Sequence, residues 1–279
     1  MRLAPIFLIL TAFFLMSGCI RYRLNDKQTY RYFEKRELTP TILRDTTEGT
    51  NRYLEVGENQ ENLLFFIHGS PSSMAIFKQL LTDKELLQHA KIVAVDRAGY
   101  GYSDYGKSTT SIVEQARRLH PVLQKYAHYK RIVLIGSSYG GSVAAKLAMD
   151  FPDLVDDVMF VSASLAPQEE KVYGISYMIR RRGFKWLFPT FIRVANDEKL
   201  AHTQALQEIL PDWHKIVAQV TVLHGKDDKL IYPSNVHFAQ SQLTQAKSFT
   251  VQWVEDMGHK ISYAHPEIIQ KALLALLLK

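Results

Sequence analysis

The chain has 279 residues, with 34 Lys+Arg against 28 Asp+Glu, a formal net charge of +6, 47% hydrophobic residues and one cysteine. A single cysteine excludes an intramolecular disulfide framework, and the apolar share excludes a disordered chain. The positive balance comes without a nucleic-acid motif or a dense basic–aromatic tract, so it reads as surface character and nucleic acid is not an expected partner.

The N-terminus comes first. Leu3 to Met16 carries no charge, follows Arg2 and ends in the small pair Ser17-Gly18 before Cys19. That is the pattern of a secretory h-region, about 14 residues long where a membrane span needs about 20. Leu15-Met16-Ser17-Gly18-Cys19 resembles a bacterial lipoprotein signal, with Met16 where that pattern prefers leucine. The resemblance implies a signal peptide over 1–18, lipid on Cys19 and a membrane partner through that lipid. With Ile20 rather than aspartate, it implies the outer membrane of a two-membrane cell. A second reading is an uncleaved signal anchor. Its apolar run would extend through Ile20, and Arg21, Arg23, Lys27 and Arg31 would stay cytoplasmic.

Residues 19–50 are expected as a tether and lead-in. Tyr30–Phe33 and Tyr53–Val56 are expected as antiparallel edge strands. Six short apolar runs then alternate with helical patterns: Leu63–Ile67, Ile92–Val95, Ile132–Ile135, Val158–Val161, Val220–Leu223 and Phe249–Val254. Such alternation predicts an α/β fold, a mostly parallel central sheet flanked by helices. Its two parts cover 51–167 and 211–279. Pro266 to Leu278 has Ile268, Ile269, Ala272, Leu273, Leu276 and Leu277 at helical spacing and predicts a closing helix.

Residues 168–210 interrupt the alternation between two core strands. They carry Tyr173, Tyr177, Arg180-Arg181-Arg182, Phe184, Trp186, Phe188, Phe191 and Arg193. This predicts an inserted helical lid over the strand ends. Two other readings are a surface excursion whose aromatics complete the core, and an apolar, basic face that docks on a membrane.

The chemistry-bearing motifs stand at strand ends, where open α/β sheets bind ligands. Arg131–Ile135 runs into Gly136-Ser137-Ser138-Tyr139-Gly140-Gly141, a strand, a tight turn and a small-residue helix start. In that context Gly-x-Ser-x-Gly reads as a nucleophile elbow exposing Ser138. The bland alternative is an ordinary βα turn with Ser138 as helix cap. Leu63–Ile67 ends in His68-Gly69-Ser70-Pro71, from which the N–H of Ser70, with that of Tyr139, could form an oxyanion hole. Ile92–Val95 ends in Asp96-Arg97-Ala98-Gly99-Tyr100-Gly101-Tyr102-Ser103, where Asp96 is expected to tie a loop. Val220–Leu223 ends in His224-Gly225-Lys226-Asp227-Asp228, and Val251–Val254 leads to Glu255-Asp256-Met257-Gly258-His259. An acid after one strand and a histidine after the last complete a serine triad in the order Ser, Asp, His.

Together these motifs resemble the α/β-hydrolase superfamily, from about Asn51 to the end. The resemblance implies Ser138 as nucleophile, His259 as general base then acid, and Asp228 as the orienting acid. Asp228 is preferred to Asp227 because it stands three after Gly225 and precedes Leu230-Ile231; Asp256 is the third choice. It implies no metal or organic cofactor. Epoxide and haloalkane hydrolases of similar layout carry aspartate at the elbow, and carbon–carbon bond hydrolases usually carry asparagine where this chain has Ser137. The implied reaction is therefore hydrolysis of a carboxylic ester, with an apolar acyl group favoured by the aromatic lid. The alternatives are an amidase or peptidase, and a lipid-tethered binding protein with a relic site. A free-amine substrate would call on Glu169, Glu170, Asp197 or Glu198.

Overall fold

The computed structural model describes residues 23–58 and 61–278; the signal peptide expected over 1–18 and the lipidation expected at Cys19 lie outside them. The chain opens with α1 (Asp26–Glu34), β1 (Thr41–Asp45), β2 (Asn51–Val56) and β3 (Asn62–Ile67). Next come α2 (Lys84–His89), β4 (Lys91–Val95), α3 (Ile112–Gln124), β5 (Arg131–Ser137), α4 (Tyr139–Asp150) and β6 (Asp157–Val161). An insertion of α5 (Gly174–Arg180), α6 (Arg182–Lys185) and α7 (Thr190–Ile209) follows. The chain closes with β7 (Gln219–Gly225), α8 (Ser234–Gln242), β8 (Ser248–Val254), α9 (Ile261–Ala264) and α10 (Pro266–Leu277).

The eight strands form one sheet in the order β1-β2-β4-β3-β5-β6-β7-β8. β2 pairs antiparallel with β1 and β4, and every other pairing is parallel. The central strands are apolar throughout because both faces are covered. Along β3, Leu63, Phe65 and Ile67 enter one core with residues of α3 and α4, while Leu64 and Phe66 enter the other with Phe33, Leu86 and Leu273. This is the mostly parallel, helix-flanked α/β sheet that the alternating runs predict. No helix of the described residues is long and apolar enough to cross a membrane.

One local expectation is corrected. Tyr30–Phe33 lies in helix α1, not in a strand, and the edge strand is Thr41–Asp45. Asn25 caps α1 in a reciprocal capping box with Gln28, Asp26 stands in the first turn, and Thr29 and Phe33, four apart, share the buried face. The run of aromatics imitated strand alternation, but the cap and the i, i+4 burial decide for helix. Tyr53–Val56 lies in antiparallel β2, inside the edge.

The insertion joins β6 to β7. Its long helix α7 turns Val194, Glu198, His202, Ala205, Leu206 and Ile209 inward, a helical face that mixes aliphatic and ionisable residues.

Candidate active site

The site begins at the turn between β5 and α4. A Cβ on Gly136 would stand 2.6 Å from the Gly140 carbonyl oxygen, and one on Gly140 would stand 2.3 Å from that of Ile67. Only glycine lets strand, turn and helix approach this closely. Between them Ser138 has φ 52° and ψ −123°, a left-handed backbone that side chains rarely adopt. Such a residue is strained by about 1–3 kcal/mol, and its surroundings must hold it there. They do: Ser138 N–H donates to Val161 O at 3.0 Å, and Ser164 N–H donates to Ser138 O at 3.1 Å. The Ser138 side chain makes no cap to α4. Its hydroxyl is turned instead toward His259.

His259 Nε2 stands 3.1 Å from Ser138 Oγ, and His259 Nδ1 stands 2.8 Å from Asp228 Oδ2. The other Asp228 oxygen accepts the N–H groups of Leu230 at 2.9 Å and Ile231 at 2.8 Å. Burial alone would raise the Asp228 pKa, but the hydrogen bond and charge of His259 and the two amides outweigh it, so the carboxyl lies below its ordinary value. An ionised carboxylate only accepts, so Nδ1 carries a proton toward Asp228. That leaves Nε2 free to accept from the serine hydroxyl. Asp227 and Asp256 are exposed, whereas Asp228 is buried against the histidine. Asp227 N–H donates to Met257 O at 2.9 Å, which ties the loop carrying the acid to the loop carrying the histidine. Ser137 Oγ lies 2.6 Å from Ser262 Oγ, tying the elbow to α9 just after His259.

Two cavities meet at Ser138. One, of about 310 Å³, lies under the insertion; Ser70, Pro71, Tyr139, Ile179, Ile192 and Ile231 line it, together with Glu170, Glu198, Lys199 and His202. The other, of about 240 Å³, lies on the His259 side among Ser72, Ile76, Ser162, Leu230 and Tyr263. Tyr139 opens α4, so its N–H has no acceptor in a preceding turn. Ser70 lines the same cavity.

The sequence motifs did not mark the charged wall. Glu170 accepts from Ser164 Oγ and Lys199 Nζ, and its Oε2 lies 3.3 Å from His202 Nδ1. Burial would raise its pKa, but His202 and Lys199 bring it down to about 2. His202 and Lys199 belong to no motif. The only signal for His202 is position, since the repeat of α7 turns 194, 198 and 202 inward whatever their polarity. The aromatics sit differently from the expectation. Tyr173 touches the cavity, but Tyr177, Phe184 and Trp186 are exposed on the outer face, Trp186 by 74%. The apolar wall is aliphatic instead. Asp96 ties its loop as expected, accepting from Arg52 Nη1 and from the N–H groups of Met74 and Tyr102. Among the described residues, no group of three or more His, Cys, Asp or Glu is placed to hold a metal ion.

Comparison with known proteins agrees with this architecture. The Alpha/beta hydrolase family pattern matches residues 64–269, and the chain belongs to that family. Protein ABHD8 of Bos taurus is 37% identical over 108 residues, which are 38% of this chain and 24% of the relative; the chain thus spans about a quarter of that relative's length. Among solved structures, Cfl2 from Burkholderia cenocepacia superposes with a TM-score of 0.69 at 15% identity, over 85% of this chain and 96% of the other. A membrane phospholipase A, a bacterial virulence factor, superposes with a TM-score of 0.64 at 18% identity, over 99% of each chain. At these identities the two structures share the fold with this chain.

Proposed function

We propose that this hydrolase cleaves a carboxylic ester through an acyl-enzyme on Ser138. The observation that carries the reading is the hydrogen-bonded line from Ser138 Oγ to His259 Nε2 at 3.1 Å and from His259 Nδ1 to Asp228 Oδ2 at 2.8 Å. His259 Nε2 takes the hydroxyl proton as Oγ bonds to the carbonyl carbon. The carbonyl electron pair moves onto oxygen, where the N–H groups of Ser70 and Tyr139 hold it. As that pair returns, the bond to the alkoxide breaks and the alkoxide takes the proton from His259. Water repeats the sequence against the acyl-enzyme, releasing the acid and restoring the Ser138 hydroxyl. Asp228 stays ionised throughout and stabilises the imidazolium.

The two cavities divide the ester. The acyl part occupies the larger one, whose Ile179, Ile192 and Ile231 suit an apolar group of modest size; about 300 Å³ is the small end of ligand pockets. The alcohol part lies on the His259 side, beside the buried Ser162 hydroxyl, which has no partner among the described residues. A free-amine substrate is disfavoured by charge. The two cavity carboxylates already hold cations, Glu170 with Lys199 and Glu198 with Arg97, and Glu169 and Asp197 do not line the cavity.

The location belongs to the same proposal. Lipid on Cys19 would anchor the exported chain in the cell envelope. The exposed Tyr177, Phe184 and Trp186, with Arg180, Arg181 and Lys185 beside them, would lie against the membrane.

Fluorophosphonate labelling of the full chain tests the chemistry. The expected result is one adduct, mapped to Ser138 and lost in His259→Ala. A folded protein that takes no label would be a tethered binding protein. A series of p-nitrophenyl esters tests the acyl pocket, and a preference for the shortest, most polar acyl group would remove the apolar assignment.

A further inference from the structure

Three buried side chains outside the triad form one connected group that reaches the wall of the larger cavity at Glu198. Arg97, Tyr100 and Glu198 are each fully buried, and Glu198 comes from the inserted helix α7 whereas the other two follow β4. Arg97 Nη1 donates to Glu198 Oε1 at 2.7 Å and Nη2 to Oε2 at 3.3 Å. Gln115 Nε2 donates to Oε1 at 2.9 Å, and Tyr100 Oη donates to Oε2 at 2.6 Å. A fully buried ion pair is a poor way to gain stability, since desolvation offsets most of the attraction. Its contacts suggest another use.

From this group the bonds run outward in three directions. The first passes through Tyr100. Glu198 only accepts, so the phenol must donate to it, and the phenol oxygen is left to accept the Ser70 hydroxyl at 2.6 Å. Burial, then the charge of Glu198, holds the Tyr100 pKa well above its ordinary value, so the phenol stays a donor. The second direction passes through His68. Arg97 N–H donates to His68 Nε2 at 2.9 Å, and Arg97 Nε donates to the His68 carbonyl at 2.7 Å. Burial and the Arg97 charge push the His68 pKa well down. The ring is therefore neutral, with its proton on Nδ1, which donates to Gly69 O at 2.7 Å. Gly69 C=O and Ser70 N–H share one peptide plane and point opposite ways, so fixing the carbonyl aims the N–H. The third direction reaches the elbow. The Arg97 guanidinium lies 4.5 Å from the centre of the Tyr139 ring, whose neighbour, the His202 ring of α7, stacks at 4.3 Å.

We infer that Glu198 is a positioning residue: acting through Arg97 and Tyr100, it sets the direction of both oxyanion donors, so that docking of the inserted helix and assembly of the oxyanion site are one event. The inference rests on the serine-hydrolase reading above. Both Glu198 oxygens are taken up by Arg97, Gln115 and Tyr100, and its effect passes through the side chains that hold Ser70 and Tyr139.

The test uses the full chain and a p-nitrophenyl ester. Tyr100→Phe keeps the ring and the Arg97–Glu198 pair and removes the hydroxyl that joins Glu198 to Ser70. It should lower kcat about tenfold with KM within about twofold, part of the roughly hundredfold that outright loss of an oxyanion donor produces. Ser70→Ala cuts the same link and should do the same. The double variant should be no slower than either single one, because one tether cannot be lost twice. Unchanged kcat, or losses that multiply, would overturn the inference. A second readout needs no turnover: the backbone amide resonances of Ser70 and Tyr139 should shift in Tyr100→Phe, while those of β8 stay fixed. Unmoved amides overturn the positioning role whatever the kinetics. A wild-type chain that hydrolyses no ester, yet whose Ser70 amide moves in the variant, would sink the esterase reading and leave the positioning intact. In the folded fraction of Glu198→Gln the same fall in kcat is expected, and wild-type kcat there would remove Glu198 from the role.

Discussion

The elbow and the inserted helix α7 both border Ser138, and they are built by opposite means. Among the described residues the elbow has no ion pair; missing side-chain volume at Gly136 and Gly140 holds Ser138 in its strained backbone. Helix α7 packs Ala205, Leu206 and Ile209 into the core, but beside Ser138 it is held by charge, with Glu198 on Arg97 and Lys199 on Glu170. Excluded volume acts between neighbours in the chain and is written in a few consecutive letters. Charge pairing acts between residues far apart, here 101 positions for Arg97 and Glu198, and is written nowhere locally.

Substitutions should separate the two regions. The largest effect should come from Ser138→Ala, which removes the nucleophile but little volume. Turnover should fall by about four orders of magnitude or more with an unchanged urea midpoint, and near wild-type turnover would place the nucleophile elsewhere. Gly140→Ala adds one methyl against the backbone of Ile67. It should lose about 3 kcal/mol or more in urea unfolding, with no single second substitution able to restore it. Glu198→Gln leaves Arg97 buried without its counter-charge and should lose about 3–5 kcal/mol, but pairing it with Arg97→Met should recover much of that, as buried pairs replaced by apolar residues often do. Recovery at the charged contact but not at the glycine would establish the difference between the two regions.

Smaller effects are expected at Glu170 and Trp186. Glu170 titrates lower in the folded chain than its ordinary 4.5, at about 2. Its contribution to stability is therefore complete above pH 4.5 and fades as pH falls toward 2. Melting curves of the wild type and Glu170→Gln should converge over that window, and a constant gap would mean that the carboxylate does not carry the contact. Trp186→Ser on the outer face should change stability by less than about 0.5 kcal/mol, since it removes an exposed side chain. It should weaken flotation of the full, Cys19→Ser chain with anionic vesicles. Undiminished flotation would detach that face from the membrane.

Most of the fold was legible because its strands are short, fully apolar and separated by helical repeats. The six expected runs lie within β3 to β8, and the closing helix runs from Pro266 to Leu277. The placing of Ser138, Asp228 and His259 at strand ends was legible for the same reason. Tyr30–Phe33 was misread because its aromatics outweighed the Asn25–Gln28 cap that starts the helix. The roles of Arg97, Tyr100 and Glu198 were not legible. Arg97 and Tyr100 sit in a glycine-rich loop that drew attention to Asp96 alone, and Glu198 reads as one acid among several until α7 turns it inward. The aromatic character of the insertion suggested a cavity lining, but Tyr177, Phe184 and Trp186 are exposed while Ile179 and Ile192 line the cavity.

The sheet order also sets when reactivity is acquired. Ser138 and its base are 121 residues apart, and Asp228 and His259 both follow the insertion, in the loops after β7 and β8. A growing chain therefore completes the elbow long before it has made the groups that would activate it. Strands paired across such distances assemble slowly, because long loops must close before the contacts form. During refolding, phosphonate reactivity at Ser138 should therefore lag behind the return of helical circular dichroism, and the label would then report arrival of the last two strands rather than formation of the elbow itself.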